Sequence, residues 1–296
     1  MRADRFLTLS VFHSLRRRLP RPRGIRIPIL MYHSISDETE SGHPYFWINT
    51  SPTRFAEHMR LLKEKDFRVI SLAEAADLLG NASIVLDENA RNGSHPRYAV
   101  VTFDDGFADF RTMAYPILAE YGFPATVFLP TGFISEVGSA LKGKSCLRWD
   151  DVRELGGTGV RFGSHTVSHP TLRSIPWDQV EKELRESRDA LEDRLGTKAE
   201  SFSYPYAFPE GDKRFQSRLR TSLAELGYVN GVTTRVGTAA EGDDPVFFKR
   251  IPVNSADDAA FFSAKLEGGY DWLHAIQYGF KVLKGSLTRE TPASQN

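Results

Sequence analysis

The 296-residue chain balances 38 Lys and Arg against 38 Asp and Glu, is 41% hydrophobic and 11% aromatic, and holds a single cysteine. That composition supports a full core and excludes a disordered or low-complexity chain, and no run approaches the roughly 20 apolar residues of a membrane span. Cys146 has no internal disulfide partner, which leaves a free thiol in a reducing compartment or an inert buried residue, and the neutral total gives no reason to expect nucleic acid as a partner.

The neutrality is an average. Residues 1–26 hold eight arginines and one acid, Asp4, while the remaining 270 residues carry 30 basic and 37 acidic side chains. Phe6, Leu7, Leu9, Val11, Phe12 and Leu15 predict a short amphipathic helix that Pro20 and Pro22 stop. Its apolar stretch is broken by Thr8, Ser10 and His13, and most arginines follow it, unlike a secretory leader. The expectation is a cytoplasmic protein whose basic arm either frays, docks, or touches an anionic membrane.

Beyond the arm, short apolar runs alternate with helical patterns. Strands are expected at Ile27–Tyr32, Arg68–Ser71, Tyr98–Phe103, Ala125–Leu129, Val160–Ser164, Ser201–Tyr204, Val229–Thr233 and Phe247–Val253. Ser51 and Pro52 open a helix with Phe55, Met59 and Leu62 on one face. Ser71 and Glu74 form a capping-box pattern before Leu78 and Leu79. Val180, Leu184, Leu191 and Leu195 make the stripe of a helix over Trp177–Leu195, and further helices fall at about Phe215–Leu226 and Ser255–Leu266. The alternation argues for a parallel sheet closed as a barrel of seven or eight units. Residues 27–275 form the catalytic domain in this reading, 81–97 a surface excursion and 276–296 a polar tail.

Function in such a barrel collects at the C-terminal strand ends. The strand Tyr98–Phe103 runs into Asp104-Asp105-Gly106, two carboxylates that repel one another unless a cation or a helix N-terminus accommodates them. A second strand end reads His165-Thr166-Val167-Ser168-His169-Pro170, with two imidazoles spaced to reach one ion. No Glu adjoins the first His, which disfavours a helical zinc-protease motif. Ser94-His95-Pro96 repeats its last three letters, but with Arg91 four residues before His95 it reads as a surface loop. The third strand end, Ser203-Tyr204-Pro205-Tyr206, is a rigid turn whose Tyr206 N–H can face a pocket. Asp105, His165 and His169 together make an open three-ligand set for catalytic zinc, with Asp104 beside it as a base.

At these residues the chain resembles the polysaccharide deacetylases of carbohydrate esterase family 4, the NodB homology domain. Thr102-Phe103-Asp104-Asp105-Gly106 is similar to the family's first motif, His165 to Pro170 to its second, and Phe202 to Ala207, less closely, to its third. Ile29-Leu30-Met31-Tyr32-His33 and Arg148-Trp149-Asp150 extend the similarity over roughly residues 27–270. The resemblance implies an α/β fold, a distorted (β/α)7 barrel, and removal of N-acetyl groups from a sugar or polysaccharide. It implies a divalent metal, Zn2+ first, on Asp105, His165 and His169, with Asp104 as general base toward water and the Tyr206 N–H as an oxyanion donor. An acetylated saccharide is then the partner, and Ser168 positions the histidine loop.

Two departures from the family pattern stand out. Ser203 occupies the place of the arginine that orients the base, with Arg250 on the last strand as a substitute, and the closing Leu-His motif is not evident. His274 reads as structural. His33, at the early Tyr-His strand end, is therefore the expected general acid, with a buried structural histidine as the alternative. Within the family an O-acetyl esterase or deformylase is the neighbouring reading; outside it, a carbohydrate-binding protein that has lost catalysis. Tyr45, Phe46, Trp47, Tyr204 and Tyr206 are the aromatic candidates for stacking on sugar.

Overall fold

The structure, a computed structural model, describes residues 2–18, 24–82 and 96–274. Arg91, Ser94, His95, Pro20, Pro22 and the tail 276–296 lie outside the described residues.

Each of the eight apolar runs overlaps a strand. Seven close a ring in the order Ile29–Tyr32, Phe248–Pro252, Asn230–Val236, Ser201–Ser203, Val160–Ser164, Ala125–Leu129 and Arg97–Phe103, and the last pairs back with the first. All pairs in the ring are parallel. The eighth strand, Phe67–Val69, lies on the first half of Arg97–Phe103, whose second half pairs with Ile29–Tyr32 on closure. The protein is thus a closed seven-stranded parallel barrel with helices around it.

Alternation along the strands separates two cores. Ile29, Val100, Phe128, Val232 and Phe248 cluster with Leu72, Ala75 and Leu79, so the helix Leu72–Gly80 plugs the barrel from the N-terminal strand ends. The alternate residues Leu30, Val101, Phe103, Val127 and Ile251 join the outer helices, with Phe55, Met59 and Leu62 coming from Pro52–Glu64. Toward the other end the interior turns polar: Thr102, Ser203 and Arg250 are buried, and Arg250 donates to both hydroxyls. The apolar plug fixes the strands, and the polar end holds the chemistry.

Local signals set the helices. Ser51 accepts from the Arg54 N–H, and Ser71 and Glu74 complete the capping box. Trp177–Leu195 ends at Gly196 in the left-handed region. The last barrel helix, Ala259–Leu266, starts later than its apolar pattern suggests because Asp258 is its N-cap. Asp104 and Asp105 cap no helix, since the next helical run begins only at Asp109. The arm is helical from Ala3 to Arg18, with a π-helical turn over Thr8–Phe12, and lies against the barrel. No helix among the described residues is long and apolar enough to cross a membrane.

Candidate active site

The strand ends bring Asp105, His165 and His169 together, one ligand atom from each within 4.8 Å of the others. His169 Nε2 lies 3.1 Å from Asp105 Oδ1 and 3.2 Å from His165 Nε2, and His165 Nε2 lies 3.7 Å from the same carboxylate oxygen. His165 Nδ1 is 2.8 Å from the Ser203 carbonyl. That carbonyl only accepts, so the proton sits on Nδ1 and the Nε2 lone pair points into the cluster. Burial, above all, lowers the His165 pKa to about 4, which keeps the ring neutral. Asp105 Oδ1 and His169 Nδ1 are buried with no hydrogen-bond partner among the described residues. Two nitrogens and one oxygen with an unsatisfied buried carboxylate atom fit a divalent cation in donor type and convergence.

The adjacent carboxylates avoid repulsion by pointing apart. Asp104 takes two parallel hydrogen bonds from the Arg250 guanidinium, 2.8 Å to Oδ1 and 2.6 Å to Oδ2, and a third from the Ser203 hydroxyl at 3.2 Å. Arg250 in turn donates through Nε to the Thr233 carbonyl at 3.0 Å. The register of this strand against the last one shifts between Val232 and Val236, where that carbonyl lies. Burial raises the Asp104 pKa, but the Arg250 charge, His165 and His33 outweigh it and hold the carboxyl well below the usual range. Arg250 therefore stands where the sequence offered it, and Ser203 joins the same network. Burial likewise opposes ionisation of Asp105, which contact with His169 and the charges around it keep ionised.

His33 follows the strand Ile29–Tyr32 at the half-buried rim. Burial lowers its pKa, while Asp105 and Asp104 act in the opposite sense. Tyr206 is exposed, packs edge-on against His169 at 4.6 Å, and its N–H has no acceptor among the described residues. Tyr204, by contrast, is fully buried and stacks edge-on with Phe208 in the outer core, so it is no part of the mouth. Strand alternation sends Ser203 inward and Tyr204 outward. Phe46 is exposed on its loop, and His274 is engaged by Glu210 at 2.5 Å. Cys146 is buried beneath the Asp105 turn, and burial pushes its thiol up to about 11.

Two residues at the site gave no signal in the sequence. Glu183, from the helix Trp177–Leu195, accepts from the Val167 and Ser168 N–H groups at 2.7 and 2.9 Å and from the Ser168 hydroxyl at 2.6 Å. Ser168 thus acts on the histidine loop through Glu183. Lys142 tips a two-residue hairpin, its ammonium 3.2 Å from Asp105 Oδ2 and 5.2 Å from the Tyr206 ring centre. Among the described residues six non-glycines have left-handed backbone, and five of them, Asp105, Lys142, Thr166, His169 and Tyr206, belong to this cluster. Such strain persists where the surroundings over-determine it, as at ligand sites.

A parallel barrel with two imidazoles and a carboxylate converging beside an arginine-held carboxylate defines a class of hydrolytic site. Residues 91–231 match the polysaccharide deacetylase family. A Bacillus subtilis protein named as a polysaccharide deacetylase is 26% identical over 242 residues, 82% of this chain and 76% of that one. The Streptococcus pyogenes deacetylase PplD, solved in complex with acetate, is 26% identical with a TM-score of 0.66, covering 82% of this chain and 99% of that chain. The poly-beta-1,6-N-acetyl-D-glucosamine N-deacetylase of Staphylococcus aureus is 24% identical over 175 residues, 56% of either chain. Residues 91–231 thus carry the match to the polysaccharide deacetylase family, and the barrel is the fold of its solved deacetylase relative.

Proposed function

We propose that the protein is a divalent-metal-dependent N-deacetylase of an N-acetylated glycan, with N-acetylglucosamine units as the sugar, the class named for the Staphylococcus aureus relative. The convergence of Asp105, His165 and His169 beside an Arg250-bound Asp104 carries this reading. A divalent cation held by those three residues would acidify water and polarise the acyl oxygen, which suits a neighbouring carboxylate of low basicity.

The chain's own groups divide the remaining work. Asp104, kept ionised by Arg250, takes a proton as the water oxygen bonds to the acyl carbon. The Tyr206 N–H donates to the oxygen on which negative charge builds. His33, at the rim and open to solvent on one side, passes a proton to the leaving nitrogen as the C–N bond breaks, releasing acetate and a free amine. Arg250 and Glu183 touch no substrate; they hold Asp104 and the histidine loop in place.

A panel of N-acetylated, O-acetylated and N-formylated saccharides, incubated with the purified protein and Zn2+ and followed by mass, tests this. Loss of one acetyl from nitrogen is expected. Loss only from oxygen would reassign the bond, and glycan binding without turnover would mark a binding protein.

A further inference from the structure

The arm helix is turned opposite to an ordinary surface helix. Its polar residues face the barrel: Arg2 reaches Asp257, Arg5 reaches Asp258, His13 reaches Glu267, Arg16 donates to the Glu267 carbonyl, and Thr8 is buried against Trp272. Phe12 stacks on Trp272 at 4.6 Å and anchors the same side. The solvent side carries Phe6, Leu7, Val11 and Leu15, exposed by 47, 36, 45 and 51%. These are four of the nine large apolar side chains exposed among the described residues, gathered on one helix.

Charge is sorted along with polarity. Arg2, Arg5, Arg16 and Arg26 are engaged by the barrel. Arg17 and Arg18 are exposed at the end of the apolar face and pair with no acid among the described residues, and Arg21 and Arg23 follow in sequence. The arm's one acid, Asp4, is bound by Arg2 and Tyr270. The outward face therefore carries these four apolar side chains with Ser10 and Ser14 among them, cations at one end and no anion.

We propose that this face seats the protein on an anionic lipid bilayer. Phe6, Leu7, Val11 and Leu15 enter the headgroup boundary, and Arg17 and Arg18 lie against the lipid phosphates. A second copy of the same face would bring cations and no acid to meet them, so charge favours lipid over self-association. Salt bridges to Asp257 and Asp258 and hydrogen bonds to Glu267 hold the arm to the barrel, so the bilayer would lie against that flank.

The test is co-sedimentation of the full chain with vesicles of phosphatidylcholine alone or with about a third phosphatidylglycerol, at low and high salt. Wild type is expected to sediment with the mixed vesicles and to be released by salt. The combined Leu7→Ser, Val11→Ser, Leu15→Ser protein is expected to lose binding. Arg17→Gln with Arg18→Gln, which leaves the apolar face intact, is expected to weaken it about 25-fold, roughly fivefold per arginine near the surface. Deacetylase turnover on a free oligosaccharide is unaffected by either set, so failure here stays distinct from failure of the catalytic reading. Equal binding to uncharged vesicles, no binding at all, or a dimer that the serine substitutions dissociate would overturn the proposal.

Discussion

Arg250 and Asp104 meet through two parallel hydrogen bonds inside the barrel, with both side chains shut off from solvent. The pair spans the ring from its last strand to the first of the two carboxylates, and its geometry serves stability and chemistry at once. Removing the guanidinium leaves a buried, uncompensated carboxylate. Arg250→Met is expected to cost about 3–5 kcal/mol of stability and to abolish turnover, read by denaturant melts and acetate release. Arg250→Lys, a point charge without the fork, should recover stability in part and little activity.

Glu183 gives a prediction of a different kind, because it lies on an outer helix and binds only the loop. Glu183→Ala should leave the fold intact but weaken zinc affinity by about 10- to 100-fold, as loss of an outer support for ligands does. Competition with a chromogenic chelator measures it. Unchanged affinity would show that Thr166 and the turn itself suffice to hold His165 and His169.

For His33, the expectation is a split between chemistry and binding. His33→Asn should lower kcat by about 100-fold or more while zinc content by elemental analysis stays at the wild-type level. Unchanged turnover would return His33 to a structural role.

Acid stability should report His58, a histidine outside the Asp105, His165 and His169 cluster. Burial, chiefly, lowers the His58 pKa from 6.5 to about 4, and the ring sits between the Tyr32 hydroxyl and the Asp257 carbonyl. Below the unfolded pKa the unfolded chain binds a proton that the folded ring refuses. The contribution is therefore whole above pH 6.5 and is lost as pH falls toward 4, about 3 kcal/mol in all. His58→Gln should flatten that limb of the stability–pH curve; an unchanged limb would assign it to other groups.

The strands were legible because each is a short apolar run between polar helices, most of them buried on both sides. Ring membership was not: Phe67–Val69 reads like the others, and only the seven-residue length of Arg97–Phe103 gives it two neighbours on one edge. The convergence of Asp105, His165 and His169 was legible from type and spacing. Arg250 was named as a substitute, but its fork on Asp104 forms across 146 residues of sequence and only on closure of the ring. Glu183 and Lys142 reach the site through tertiary packing across 15 and 37 residues, and ordinary surface charges look the same in sequence. Tyr204 was misplaced at the mouth because its aromaticity outweighed the strand alternation that turns it outward.

The central claim is that Asp105, His165 and His169 hold a divalent ion on which deacetylation by Asp104 depends. The most direct measurement is acetate release from an N-acetylglucosamine oligomer by chelator-stripped protein, titrated back with Zn2+ alongside His169→Ala and Asp104→Asn. The account predicts no turnover when stripped, recovery at one zinc per chain, no zinc uptake in His169→Ala, and full uptake without turnover in Asp104→Asn. Undiminished acetate release from the stripped protein would contradict it.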